Sequence, residues 1–236
     1  SAFYLDIRKD SLYCDRPDAI RRRSARTVMA ELLDRLALWM APLLPFTMEE
    51  TWVSRHGADA PSVHLHTFKD TPEGWRDGEL RRTWDLVRRV RRVVTAAVEV
   101  ERRNKSLGSS LEAHPVIYLD WFDETNRFEQ LLRGTEFEHQ TADGPQIALD
   151  EFFAEVCITS QATIVMTDGN NSAPADTFRL EGEDIAAVVV GRAQGRKCAR
   201  SWRITPDVGS DPRYPDLSAR DADAVACYDA RERTGA

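Results

Sequence analysis

The chain has 236 residues, 42% hydrophobic and 30% charged, with a formal net charge of −7. That is the composition of an ordinary soluble globular protein with room for one or two domains, two being expected, and no apolar run reaches the roughly 20 residues a bilayer crossing needs. The charge argues against a general nucleic-acid binder but is unevenly placed: residues 1–110 hold 20 Lys and Arg against 16 Asp and Glu, net +4, and residues 111–236 hold 12 against 23, net −11, so any polyanion should prefer the first part.

The opening "SAFYLDIRKD" has no initiator Met, basic segment or apolar run, so the expectation is a chain that begins inside a longer protein, without a secretory signal. Cys14, Cys157, Cys198 and Cys227 lie far apart, unlike a disulfide scaffold, and read as thiols in a reducing cytoplasm. After the short lead "AFYLDIRKDSLYCD", Asp15 is a candidate N-cap and Pro17 a first-turn proline for a helix starting near Asp18. Met29, Leu32, Leu33, Leu36 and Met40 recur at helical spacing and predict its buried face, and Pro42 and Pro45 end it. "PFTMEETWV" restarts a helix, with Thr47 and Glu50 in capping-box spacing and Trp52 directed to the core.

Residues 55–78 read as a connecting loop with one short extended piece at "SVHLHTF". Its His56, His64 and His66 lack a nearby Cys or carboxylate to complete a metal site and are read as loop histidines. From Glu79 to about Lys105 a long helix is predicted, with Leu80, Trp84, Val87, Val94 and Val98 on one face. Arg81, Arg82, Arg88, Arg89, Arg92 and Arg103 fall on the opposite arc, with Asp85 and Glu99 as the few interleaved acids. That arc is either a solvated face or a strip for nucleic-acid phosphates.

"NKSLGSSLEA" breaks the helix at Gly108, and a boundary is placed there. Beyond it "HPVIYL", "ATIVMT" and "IAAVVVGRA" read as short strands, while "DETNRFEQLLRG" and "ALDEFFAEVCI" read as helices. "DGNNSAPADTF" is a turn-rich connector, and the Asp-, Pro- and Ala-rich tail from Cys198 is expected to be irregular. The fold class is therefore α+β, in three parts: an all-helical bundle over 1–108, a small α+β domain over 109–195, and the tail over 196–236. No Gly-rich phosphate loop, Ser/His/Asp pattern or other nucleophile and base can be named, so no catalytic residue is expected.

"FYLDIRKDSLYCD", "IRRRSARTVMAELLDRLALWMAPLLPFTMEETW", "RRNKSLGSSLEA" and "GRKCARSW" resemble, in that order and spacing, the C-terminal region of bacterial isoleucyl-tRNA synthetases of class Ia. "MAPLLPFTMEETW" is shared with valyl, leucyl and methionyl relatives, and the later segments narrow the resemblance to the isoleucine enzyme. The resemblance implies a helical anticodon-binding domain, then a junction and zinc-knuckle region, which together grip the anticodon stem and loop of isoleucine tRNA. The catalytic domain, with its ATP and Mg and its HIGH and KMSKS-type signatures, would lie before Ser1 together with the editing domain, making this part inactive alone within a cytoplasmic ligase. That upstream domain and tRNA are the partners implied, and no membrane is.

The family's "RRSxQT" pattern appears here as Arg22, Arg23, Ser24, Ala25, Arg26 and Thr27, with Arg26 in place of glutamine. Arg21, Arg22, Arg23 and Arg26, with the arginines of the long helix, are the expected tRNA contacts. Many relatives carry two Cys-x-x-Cys pairs on one zinc; alignment puts these four positions on Cys198, Ser201, Ser218 and Asp221, so the knuckle is degenerate and zinc is expected to be absent. Trp202, flanked by Arg200 and Arg203, either stacks on an anticodon base or packs the knuckle closed in place of the metal. The alternative for the whole is a structural docking module of a class Ia relative, valyl or leucyl, with little RNA specificity of its own.

Overall fold

A computed structural model describes residues 2–120, 145–167 and 173–234. The chain is α+β, and its contacts separate it into two compact units, Ser1–Arg16 with Gly78–Ala236, and Pro17–Asp77. Contacts are thus cut before and after residues 17–77, whereas the sequence suggested a boundary near 108. The physical reason lies in the long helix, which packs on the strands that follow, and in the opening helix, which packs on the helix over 145–157.

In the larger unit, helix α1 (Ala2–Cys14) occupies the segment read as a lead. It buries Ile7, Ser11 and Cys14, and Arg8 reaches Glu155 at 2.9 Å, so tertiary partners stabilise a helix whose own periodicity is faint. Helix α4 (Gly78–Arg103) buries Thr83, Leu86, Val87, Val90, Val93, Val94, Ala97 and Val98. Leu80 of the expected inner face is exposed, because the first turn projects past the core, while Trp84 is partly buried against Phe3 and Phe152. The helix ends with Lys105 in the left-handed conformation (φ 60°) and the Ser106 N–H bonded to Glu101 O at 3.0 Å.

Strand β1 (Ala113–Asp120) is the centre of a three-stranded sheet, parallel to β2 (Thr163–Thr167) and antiparallel to β3 (Ala186–Arg192). Ala113, Ile117 and Leu119 alternate inward from β1, as a half-buried strand requires. Between β1 and β2 in the chain, helix α5 (Pro145–Cys157) adds Leu149, Phe152, Phe153 and Val156 to one continuous core with α4 and the sheet. The Arg91 Nε donates to Val156 O at 2.8 Å, placing a positive charge at the carbonyl end of α5. The expected helix "DETNRFEQLLRG" lies outside the described residues.

The tail is regular where irregularity was expected: a hairpin of β4 (Arg196–Lys197) and β5 (Ile204–Thr205), then a 16-residue helix, α6 (Ala219–Thr234). Gly195 (φ 120°) makes the hairpin possible, since a Cβ there would lie 2.3 Å from Thr205 backbone atoms. Helix α6 is tied to α1: Arg220 pairs with Asp10 and lies 3.4 Å from Asp15, and Arg16 reaches Asp223 at 3.1 Å. These long-range ion pairs leave no periodic trace, which is why the acidic, alanine-rich segment did not read as a docked helix.

The smaller unit consists of helix α2 (Ile20–Met40), helix α3 (Pro45–His56) and two short 3-10 turns, Val63–Leu65 and Glu73–Trp75. The first of these turns stands where an extended piece was expected. Asp15 does not cap α2, which starts at Ile20 without a side-chain cap. Nor does Thr47 open a capping box, because α3 begins with Pro45 at its first position. The face expected to be buried is turned outward: Met29, Leu32, Leu33 and Leu36 are 37–50% exposed, and Ala37, Leu38 and Ala41 form the core with Trp52 and Val63 instead. Selection of the small-residue side follows from α3 and the Val63 turn, which lie against Ala37, Leu38 and Ala41. Trp52 is buried as expected and donates its indole N–H to Pro61 O at 3.1 Å.

Candidate nucleic-acid interface

Helix α4 presents valines to the sheet and arginines away from it, as spacing predicted, but the arginines divide into two groups. Arg89 donates to Glu183 at 2.8 Å and to Asp184 at 2.8 Å, and Arg92 donates to the other Glu183 oxygen at 2.7 Å. The Glu183 side chain is only 7% exposed, so this fork of two guanidiniums on one carboxylate is an internal joint between α4 and the loop before β3. Arg82 pairs with Glu79, while Arg88 lies 3.9 Å from Asp85 and 5.1 Å above the Phe3 ring. Arg81 and Arg103 are exposed.

Phe3, Arg88, Arg91, Arg92, Arg103 and Phe178 line an open groove of about 610 Å³ along this side of the helix. Guanidiniums beside half-buried rings suit a phosphate chain with neighbouring bases. Arg91, Phe3 and Phe178 were not foreseen, since the Phe residues come from distant segments and only the fold brings them together. In the smaller unit Arg21 and Arg22 are half-buried, and Arg23 and Arg26 are exposed on the first turns of α2.

The four positions aligned on the knuckle do converge. Residues 198–202 form a tight turn, with Cys198 N–H bonded to Arg203 O at 2.8 Å and Trp202 N–H to Cys198 O at 3.0 Å. The Asp221 carboxylate at the start of α6 meets this turn. Its Oδ2 accepts from Ser201 Oγ at 2.7 Å, Ser218 Oγ at 2.8 Å and Cys198 Sγ at 3.2 Å, and its Oδ1 accepts from Arg200 at 2.8 Å. Burial pushes this carboxyl upward, but the bonds from Ser201, Ser218 and Cys198 and the charge of Arg220 outweigh it and hold it down at about 2.

Arg200 and Arg203 are therefore committed inside the molecule. Arg200 also donates to the carbonyls of Tyr13 and Cys14 at the end of α1, and Arg203 donates to Ser160 O at 2.9 Å. Trp202 is placed oppositely: its backbone is left-handed (φ 64°), and the residue is 62% exposed with Lys197 Nζ 5.5 Å from the ring centre. Next to it a hollow of about 440 Å³ opens among Ile7, Tyr13, Cys14, Ile158 and Arg203. The ring thus does not fill the knuckle.

The loop histidines are accounted for by local contacts. His56 and His66 lie with ring centres 4.1 and 4.8 Å from Trp52, and His64 Nε2 is 3.3 Å from Pro45 O. Among the described residues no group of three or more His, Cys, Asp or Glu is arranged to hold a metal, and no helix is long and apolar enough to cross a membrane. Burial pushes the Cys14 thiol to about 11 and the Cys157 thiol to about 12, so both stay protonated.

Residues 1–117 match the family described as the anticodon-binding domain of tRNA ligase. The chain is 50% identical over 229 residues to the isoleucine–tRNA ligase of Agrobacterium fabrum, 48% over 226 residues to that of Rhodopseudomonas palustris, and 46% over 225 residues to that of Brucella abortus. Each comparison covers 95% of this chain and 20–21% of the relative, so the chain spans about a fifth of the length of the proteins it matches.

Proposed function

Because residues 1–117 belong to the anticodon-binding domain family of tRNA ligases and the whole chain is kin to bacterial isoleucine–tRNA ligases, we propose that it is the tRNA-reading module of such a ligase. It grips the anticodon stem and loop of an isoleucine-accepting tRNA in the cytoplasm, while ATP-dependent attachment of isoleucine belongs to a catalytic domain upstream in the same polypeptide. The observation that carries this reading is the half-identity to isoleucine–tRNA ligases across 95% of the chain. Helix α4 supports it with a basic, aromatic-edged groove in a protein of net charge −7.

Arg81, Arg88, Arg91 and Arg103 supply phosphate contacts, with Arg23 and Arg26 as a separate set on α2. Arg89, Arg92, Arg200 and Arg203 hold these surfaces in shape. Trp202 stacks on an unpaired loop base, since an exposed ring beside a lysine offers a π-face and a charge to the same nucleotide. The test is binding of the chain to isoleucine tRNA and valine tRNA across a salt series. Tighter binding to isoleucine tRNA, falling steeply with salt, is expected; equal and weak binding to both sinks the reading.

A second role rests on a different observation. The outward apolar side of α2, with Met29, Leu32, Leu33 and Leu36, is too hydrophobic for a mere solvated helix and fits docking on the upstream catalytic domain. A longer polypeptide that includes that domain should melt higher than this chain and hide those residues from solvent; unchanged melting and exposure dismiss the docking.

A further inference from the structure

The knuckle is closed around a carboxylate. Asp221 and Cys198 are both 0% exposed, and three hydrogen-bond donors from two separate segments, Cys198, Ser201 and Ser218, point at the one oxygen Asp221 Oδ2. The Ser218 N–H donates in turn to Cys198 Sγ at 3.4 Å, so the sulfur sits inside a closed ring of polar contacts.

This donor set does not suit zinc. Structural zinc is held by four thiolates or imidazoles, and neutral serine hydroxyls are poor ligands for it. The two hydroxyls and the thiol here direct their protons at Asp221, whereas a cation needs their lone pairs. Arg200 bonds the same carboxylate at 2.8 Å and the Arg220 guanidinium lies 3.4 Å from it, so two positive groups already neutralise the one anion. A divalent cation at this point would be repelled by both.

We propose that Asp221 takes the structural place of a metal ion: its buried carboxylate cross-links the 198–202 turn to the start of α6, and the knuckle closes without zinc. An internal anion collecting converging donors reverses the metal arrangement, in which an internal cation collects converging acceptors. The cross-link costs no loading step and is insensitive to chelators. The inference concerns how this part folds and stands whether or not the RNA reading above does.

The test uses the full chain. Protein refolded with excess zinc and then dialysed should carry well under one zinc per chain by elemental analysis, and its melting temperature should not change with EDTA. Stoichiometric zinc, or a fall in melting temperature on chelation, overturns the proposal. Asp221→Asn, which keeps the shape and removes the charge, should lower the melting temperature more than Ser201→Ala or Ser218→Ala; equal effects overturn the hub. The converse is a triple variant, Ser201→Cys, Ser218→Cys and Asp221→Cys. It should acquire one zinc and chelator sensitivity, four thiolates outweighing Arg200 and Arg220, and a folded triple variant that takes up no zinc overturns the view that the donor set is what excludes the metal. Should that variant not fold, the wild-type zinc content still decides.

Discussion

Trp202 shows how one backbone angle can expose a side chain. A left-handed φ of 64° turns the ring away from the knuckle, and a non-glycine residue held there costs on the order of 1–2 kcal/mol. Trp202→Ala should therefore weaken tRNA binding by about 1–3 kcal/mol while leaving the melting temperature nearly unchanged. Trp202→Gly should bind as weakly and yet melt higher than the Ala variant, because it relieves the backbone. A large stability loss in either variant would restore the packing role. The sequence displayed the tryptophan and its neighbouring arginines but not that angle, so it could not separate the exposed ring from the two guanidiniums turned inward. Asp34 is a second residue whose partners were invisible beforehand. Burial pushes its carboxyl up, but Lys69 at 2.9 Å, Arg55 at 3.3 Å and His56 at 3.3 Å together hold it below the ordinary range. A group depressed in the folded state adds stability above its unfolded pKa, about 3.9, and that stability is lost as pH falls toward the folded value. The urea midpoint reported by the Trp52 indole resonance should thus decline below about pH 4, and Asp34→Asn should flatten the decline.

At the scale of elements, strongly periodic segments were legible and weakly periodic ones were not. Helix α4 was foreseen because valines at steps of three and four leave little choice of buried face. The strands β1, β2 and β3 were foreseen from β-branched runs. Helix α2 was foreseen as a helix but with the wrong side inward, since Leu32, Leu33 and Leu36 outrank Ala37 and Ala41 in any hydrophobic count and only the position of α3 selects the alanine side. The end of α4 offers a local test. Lys105 is exposed and occupies a left-handed position that glycine commonly fills at helix ends. Lys105→Gly should raise stability by about 1 kcal/mol, measured by thermal melting; a loss would mean that the lysine side chain contributes more than its backbone costs.

Across the whole molecule, the two compact units differ in what each buries. The unit built on α4, the sheet and α5 encloses a continuous core that includes Phe153, Ile117, Val87 and Val90 at 0% exposure. Residues 17–77 rely on Ala37, Leu38, Ala41, Trp52 and Val63. Amide exchange should accordingly be slowest in β1, α4 and α5 and distinctly faster in α2 and α3, and uniform protection would refute a division of stability along this line. The sequence placed its boundary at Gly108 because composition changes there, whereas packing follows which helix covers the sheet, a relation between distant segments that no local pattern records. The Asp10 and Arg220 pair draws such a relation across 210 positions. At the usual 5–20 residues per second, a ribosome makes Asp10 some 10–40 s before its partner exists. Helix α1 must wait through that interval with Asp10 lacking the Arg220 guanidinium, so the clasp of α6 on α1 closes only after position 220 has been made.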